Sequence, residues 1–488
     1  MGNKNIYNDK TQDYIIQDIK KNPKNLIKFY KEILKNYSNI PEYYNNFEYN
    51  IKKKLFNIII SLNETSKKDF YLSLSCIFGA FFFDSCGSHC EFLSKSNENH
   101  FFIYEKEKSN QLFKNGQITD DSEMAISRAF AIMDSKILYT LNSDNIFYYY
   151  GLWFKTEPLD IGHTTQNGLK LFDEKKMFLN VSDEDNKIFT NEIINNIYNI
   201  NKNSLANGGL MKISTLIVWF YYVNNSYVKK IFKKNLNENY NEKNENEIKN
   251  EIKNEFLILY EKIYYEVKKD IIITHPNEEN IVVCSIFTFL TLSVMCENTG
   301  NQTIKYVGVL LDNEVFEKDG TSKFVKKLII DTIFDFQKPD FYFKRYFSNI
   351  NKKMGHYVHA LKLSLYYLFQ IDTMLKNSPK NKIFLRIIEQ ICDFGGDTDT
   401  NGAIVGTLIG PIIGYKNFYD KNNEIEKNLF ETFLKFFDKN RILYTSSLMY
   451  YYVEFLEKKC KDIDKTNYKN NKDNKVLKMM LKLLFLKE

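Results

Sequence analysis

Two acidic segments hold the residue types in this chain that are best suited to chemistry. The first, Thr119-Asp120-Asp121-Ser122-Glu123, follows Gly116-Gln117-Ile118 and leads into an apolar-periodic stretch. The second, Gly395-Gly396-Asp397-Thr398-Asp399-Thr400-Asn401-Gly402, opens another apolar stretch, Ala403 to Ile413. Each fits a plain helix start. Thr119 or Asp120 can serve as N-cap with Glu123 closing a capping box, and the second segment can cap its own helix. One cap needs only one such residue, however. Two carboxylates and two hydroxyls in four positions at the mouth of a buried helix are costly unless something offsets the charge. If the two helix starts meet in space, Asp120, Asp121, Asp397 and Asp399 converge with Thr119 and Thr400. Four clustered carboxylates repel one another and call for cations. Oxygen ligands without His or Cys suit Mg²⁺, Mn²⁺ or Ca²⁺ rather than Zn²⁺, and this ligand number suits two ions sharing a carboxylate.

The elements that position these segments read as helices. Glycine (19) and proline (7) are scarce in 488 residues, which disfavours a turn-rich all-β fold. Met124 to Leu138 follows a 3.6-residue apolar period, and Tyr357 to Met374 is apolar nearly all round. Ile383 to Ile391 and Phe430 to Phe437 are shorter amphipathic pieces, and no sustained period-two alternation is seen. Gly402, Gly406 and Gly410 make a smooth helix face suited to very close packing. The expected organisation is a helical N-terminal extension over 1–70, an all-α multi-helix globular domain over 71–457, and a polar tail with a short helix over 458–488. A polar low-complexity block at 234–254 reads as an insert too hydrophilic to bury a core.

Composition removes several function classes. The net charge of +6 is weak, and the only arginines are Arg128, Arg345, Arg386 and Arg441, so no nucleic-acid partner is expected. Seven cysteines in a chain this long are no disulfide framework. Cys86, His89 and Cys90 fall short of a closed zinc site and read as buried thiols around a histidine. The N-terminus has no signal-peptide apolar core, and Ile6 breaks the myristoylation pattern. The apolar run Ile281 to Cys296 is shorter than the ~20 residues of a membrane span and reads as a core helix. A monomeric cytoplasmic protein, able also to be nuclear, with no membrane partner, is the expectation.

Several segments, in order from about residue 72 to 420, resemble the signature motifs of the ADP-ribosylglycohydrolase family. Ile77 to Glu91 is similar to the family's opening helix with its Gly-Asp, Gly and Glu. Tyr150 to Leu169 resembles its Trp…Asp-Ile-Gly…Thr-Thr block, and Ser204 to Ile213 its Asn-Gly-x-x-Met-Arg segment. Thr274-His275 and Met354 to Leu361 match a Thr-His pair and a Gly-x-Tyr-Val segment. The resemblance implies an orthogonal multi-helix bundle with two Mg²⁺ or Mn²⁺ ions bound by Thr119, Asp120, Asp121, Asp397, Asp399 and Thr400, with Asp399 bridging. It implies hydrolysis at the distal ribose of ADP-ribose on a protein side chain or a small conjugate. Catalysis then falls to Asp120, Asp121, Asp399 and Glu91, a residue that as a bare Glu after a helix also fits a surface position. Substrate binding falls to Asp84, Ser204, Asn207, Gly208, Gly209, His275 and Gly355. Three departures stand out: Phe83 replaces a Gly and is expected to crowd the pocket, Lys212 replaces an Arg, and Pro411 is expected to bend the last buried helix. A catalytically silent ADP-ribose-binding relative is the alternative, but such relatives typically lose the metal carboxylates and all four are present. An aspartyl-phosphate phosphatase is disfavoured, because Thr400 follows Asp399 directly and Gly395-Gly396 precedes the motif.

Overall fold

The computed structural model describes residues 64–91, 116–155, 157–172, 189–233, 245–347 and 353–418, with isolated positions at 449, 452, 453, 455 and 456. Among these, all regular structure is helical, apart from one antiparallel bridge between Ala206 and His356. The helices are α1 (Glu64–Gly87), α2 (Asp120–Asp134), α3 (Ser143–Phe154), α4 (His163–Leu169), α5 (Asn191–Asn201), α6 (Ser214–Val223), α7 (Asn225–Lys233) and α8 (Glu245–Ile271). They continue as α9 (Glu278–Met295), α10 (Gly300–Leu311), α11 (Val315–Lys318), α12 (Gly320–Phe336), α13 (Phe343–Tyr346), α14 (Tyr357–Asn377), α15 (Lys380–Phe394) and α16 (Thr398–Ile413). The all-α expectation holds. Most of the N-terminal extension, the piece 430–437 and the tail lie outside the described residues. α1 runs through the 70/71 boundary.

The core is organised around α16, which packs along α1 and also meets α9, α14 and α15. Glycine permits this approach. A Cβ on Gly79 would stand 2.4 Å from the Gly406 carbonyl oxygen, and one on Gly406 would stand 2.1 Å from that of Gly79. Gly402 meets the Phe83 carbonyl and Gly410 that of Ser75 in the same way. The end of α1 is pinned where α16 begins: the Thr398 hydroxyl donates to the Gly87 carbonyl at 2.7 Å. This contact sets the register that brings Asp84 beside Asp399. The Phe83 ring is not in a pocket. It lies 4.4 Å from the Phe384 ring, so the expected crowding is corrected: α1 turns this side chain into the core against α15. Pro411 stands in the last turn of α16, which ends two residues later at Ile413.

α2 is shorter than its periodicity suggests. It stops at Asp134, and Ser135 is extended, with its hydroxyl donating to the Ile137 carbonyl and accepting the Ile137 N–H. This local side-chain bonding competes with the helix, which then leaves Ile137 outside the core. The polar block at 234–254 also needs correction at its end. Residues from 245 belong to α8, Ile252 is buried, and Lys253 pairs with Asp312 at 3.1 Å. Two helices, over Lys67–Gly87 and Glu278–Met295, are long and apolar enough to cross a membrane, and 83% and 89% of their apolar windows are buried inside the protein.

Candidate active site

Asp84, near the end of α1, organises the start of α2. Its carboxylate accepts from the Thr119 backbone N–H at 3.1 Å and from the Thr119 hydroxyl at 2.9 Å. It also accepts from the Ser122 N–H at 3.3 Å and from the Ser122 hydroxyl. The orphan N–H groups of α2 are thus capped from another helix, and the Thr119 side chain makes no cap bond of its own. Asp84 is fully buried, and its hydrogen bonds cap α2. With the Thr119 proton directed at Asp84, the hydroxyl presents only lone pairs elsewhere. Glu123 accepts the Trp153 indole N–H at 2.7 Å, tying α3 to α2.

The second acidic segment arrives on α16. Gly395 (φ 66°) and Gly396 (φ 80°) take left-handed conformations that favour glycine, and they turn the chain from α15 into α16. The two helix starts meet, as the Thr400 hydroxyl lies 3.2 Å from an Asp121 oxygen. Carboxylate oxygens of Asp84, Asp121 and Asp399 lie within 4.8 Å of one another, and so do those of Glu91, Asp160 and Asp399, with Asp399 common to both groups. Asp120 accepts the Gly162 N–H at 3.3 Å, and Asp397 accepts the Asn207 side-chain amide at 2.7 Å. Asp160 had no role in the sequence reading. It lies within the matched Asp160-Ile161-Gly162 block, but only the chain path after α3 brings it to the cluster.

The electrostatics are those of a site awaiting positive charge. Burial, with neighbouring carboxylates, holds Asp120, Asp121 and Asp399 well above the usual carboxylate range. Burial lifts Asp84 to about 7 against the pull of its hydrogen bonds. Burial, then Asp160, Asp397, Asp120 and Asp84, lifts Glu91 to about 9. Among the described residues, no lysine or arginine pairs with Glu91, Asp120, Asp121, Asp160, Asp397 or Asp399. The second oxygen of Asp121 is buried with no hydrogen-bond partner among them. A hard divalent cation fits this all-oxygen set. No group of three ligands that includes Cys or His occurs among the described residues, and Cys90 and Cys392 are buried thiols.

A second wall comes from the loop after α5. Asn207–Gly209 forms a short 3₁₀ turn, and the Asn207 N–H donates to the Gly355 carbonyl at 2.8 Å. The space a Gly355 Cβ would take lies 3.6 Å from Asp397 and 3.7 Å from the Asn207 side-chain oxygen, so Gly355 adjoins the acidic cluster. Ser204 pairs with the Thr164 hydroxyl at 2.8 Å. Gly208 packs on the His275 ring, where a Cβ would come within 2.5 Å, and Gly209 packs against Cys284 and Ile271. Below the turn lies a fully buried charge network. Asp270 pairs with Arg128 at 2.7 Å and accepts the Tyr150 hydroxyl at 2.6 Å, and the Lys212 ammonium is 4.0 Å away. Lys212 in place of Arg therefore keeps a buried positive charge. Asp270 had no place in the sequence reading, because a lone Asp at the end of an amphipathic helix carries no signal of its buried partners.

The family profile described as ADP-ribosylglycohydrolase matches residues 68–234 and 256–427, more than half of the chain. The gap between the two matched stretches coincides with the polar insert. A candidate ADP-ribosyl glycohydrolase of Acanthamoeba polyphaga mimivirus is 26% identical over 348 residues, covering 69% of this chain and 86% of its own. A solved ADP-ribosylglycohydrolase-related protein complex aligns with 80% of this chain and 99% of its own at 14% identity and a TM-score of 0.46. With both acidic helix starts inside the matched stretches, the chain belongs to the ADP-ribosylglycohydrolase family, a family of glycoside-cleaving hydrolases.

Proposed function

We propose that this protein hydrolyses the bond at the anomeric carbon of the distal ribose of ADP-ribose, releasing ADP-ribose from a modified protein side chain or a small conjugate. Two divalent cations, Mg²⁺ or Mn²⁺, are held at the acidic cluster. The observation that carries this reading is a set of buried carboxylates on facing helix starts with no lysine or arginine paired to them among the described residues. Bound cations would supply Lewis acidity and an ordered water at a carbon that gains oxocarbenium character as its bond breaks.

The protein's own residues do the rest. Asp84 fixes Thr119 and the first turn of α2, so that Asp121 meets Thr400 of α16 while Asp120 accepts the Gly162 N–H. Thr400 orients Asp121, and Asn207 orients Asp397. Asp399, common to both carboxylate groups, would hold the cations together with Asp160, and Thr119, Asp120, Asp121, Asp397 and Thr400 would complete the ligand set. Glu91, half-buried at the edge of the cluster, exchanges the proton between water and leaving atom. Asn207, Gly208, Gly209, Ser204, His275 and Gly355 form the wall against which ADP-ribose is held. The test is hydrolysis of ADP-ribosyl-Arg, ADP-ribosyl-Ser and small ADP-ribose conjugates with Mg²⁺ or Mn²⁺. Release of ADP-ribose from none of them, by metal-loaded folded protein, overturns the proposal.

A further inference from the structure

The wall beside the acidic cluster contains a buried hydrogen-bond chain that the proposed reaction does not by itself require. The Lys212 ammonium, 0% exposed, lies 3.0 Å from the Thr274 hydroxyl oxygen, and that oxygen lies 2.9 Å from Nδ1 of His275. Lys212 is anchored on its other sides by Asp270 and by the face of the Tyr150 ring, 4.6 Å from the ring centre. The His275 ring is itself 1% exposed, and its Nε2 edge lies against Gly208.

The directions of these bonds follow from donor counting. An ammonium only donates, so Thr274 accepts from Lys212. The Thr274 hydroxyl proton then needs an acceptor, and among the described residues Nδ1 of His275 is the one within reach. If Nδ1 carried the ring proton instead, the fully buried hydroxyl proton would be orphaned, which is costly. Burial and the Lys212 charge hold the ring well below the usual histidine range, at about 3, so it is neutral at pH 7. Lys212 is lowered by its own burial to about 8 and remains a donor there.

We propose that Lys212 and Thr274 are positioning residues that lock His275 in its Nε2–H tautomer, making it a hydrogen-bond donor of fixed polarity at the Asn207–Gly209 turn. Nε2–H has no acceptor among the described residues, so a ligand oxygen or a water completes it. His275 therefore binds an acceptor oxygen and does not serve as a base. That the oxygen belongs to ADP-ribose rests on the proposed function, whereas the tautomer does not.

The experiment uses the full chain labelled with ¹⁵N-histidine, which contains six histidines, with the His275 signals assigned by their loss in His275→Gln. Long-range ¹H–¹⁵N spectra at pH 7 are expected to show Nε2 protonated and Nδ1 bare. Thr274→Ser keeps this pattern, and Thr274→Val releases the ring to a mixture of tautomers. A dominant Nδ1–H form or a doubly protonated ring overturns the proposal, as does an unchanged spectrum in Thr274→Val. Should that variant not fold, the wild-type and Thr274→Ser spectra still decide. Calorimetry with ADP-ribose forms a second arm, in which Thr274→Val weakens binding about tenfold while Thr274→Ser does not. Wild-type protein that shows the Nε2–H form but binds no ADP-ribose contradicts the function proposed and leaves the relay standing.

Discussion

Asp84 and Asp399 lie side by side, but they answer to different forces. Asp84 collects two backbone N–H groups and two hydroxyls, so replacing it with Asn turns part of an acceptor into a donor facing donors. Asp84→Asn is expected to destabilise the metal-loaded protein by about 1–3 kcal/mol, read as a lower denaturation midpoint, with weaker metal binding because α2 loses its anchor. Asp399 has like charges around it, and Asp399→Asn relieves that repulsion. The metal-free fold is expected to be as stable as wild type or more so. Activity should fall by more than about a hundredfold, since even outer-shell partners of a metal cost about 10–100-fold. Thermal melts without metal and turnover with it check both halves. The ligand types and their convergence were legible in Thr119-Asp120-Asp121 and Asp397-Thr398-Asp399-Thr400, because oxygen-rich helix starts exceed what capping needs. Asp84, on an apolar helix, read equally as a structural hydrogen-bond partner and as a substrate contact, because its sequence neighbours do not show that Thr119 and Ser122, 35 and 38 residues away, take up its oxygens. Asp160 stands in the Asp160-Ile161-Gly162 block that resembles a family motif, but only the fold brings its oxygens to those of Glu91 and Asp399.

At the scale of elements, the interface between α1 and α16 sets the position of the site. Gly406→Ala places a methyl 2.1 Å from the Gly79 carbonyl oxygen on a rigid helix backbone. Overpacking of this kind is expected to cost about 1–3 kcal/mol and to lower metal affinity, since α1 must move away from α16. Gly308 in α10 is the control: a Cβ there meets nothing within 4 Å, and Gly308→Ala should stabilise by about 0.5–1 kcal/mol. Denaturant melts of the pair separate close packing from general loss of glycine. This interface was readable from the four-residue spacing of Gly402, Gly406 and Gly410. The end of α2 was not, since the Ser135 turn that stops it is a local bonding choice invisible to apolar periodicity. The polar insert divides similarly. A Gly/Ser linker in place of 234–244 should leave melting and turnover near wild type, whereas extending the replacement through Asn254 removes the buried Ile252 side chain and the Lys253–Asp312 pair and should lower the melting temperature.

Taken as a whole, the molecule buries clustered carboxylates that pair with no lysine or arginine among the described residues, so the stability of the metal-free chain depends on pH. Acids raised on folding bind more protons folded than unfolded, so stability falls as pH rises through that window. For the metal-free chain the window runs from the ordinary carboxylate range, about 4, up through about 7 for Asp84 and about 9 for Glu91. Metal-free protein should therefore melt higher at pH 5.5 than at pH 8, and saturating Mg²⁺ should flatten or reverse the difference. Higher metal-free stability at pH 8 would contradict the charge balance described above. The central claim is that the joined starts of α2 and α16 form a divalent-metal active site for releasing ADP-ribose. Its most direct test is turnover of an ADP-ribosylated peptide by chelator-stripped protein as Mg²⁺ or Mn²⁺ is added back. No turnover in the stripped state, followed by recovery that saturates at two ions per chain, is the expected result, and full turnover in excess chelator would contradict it.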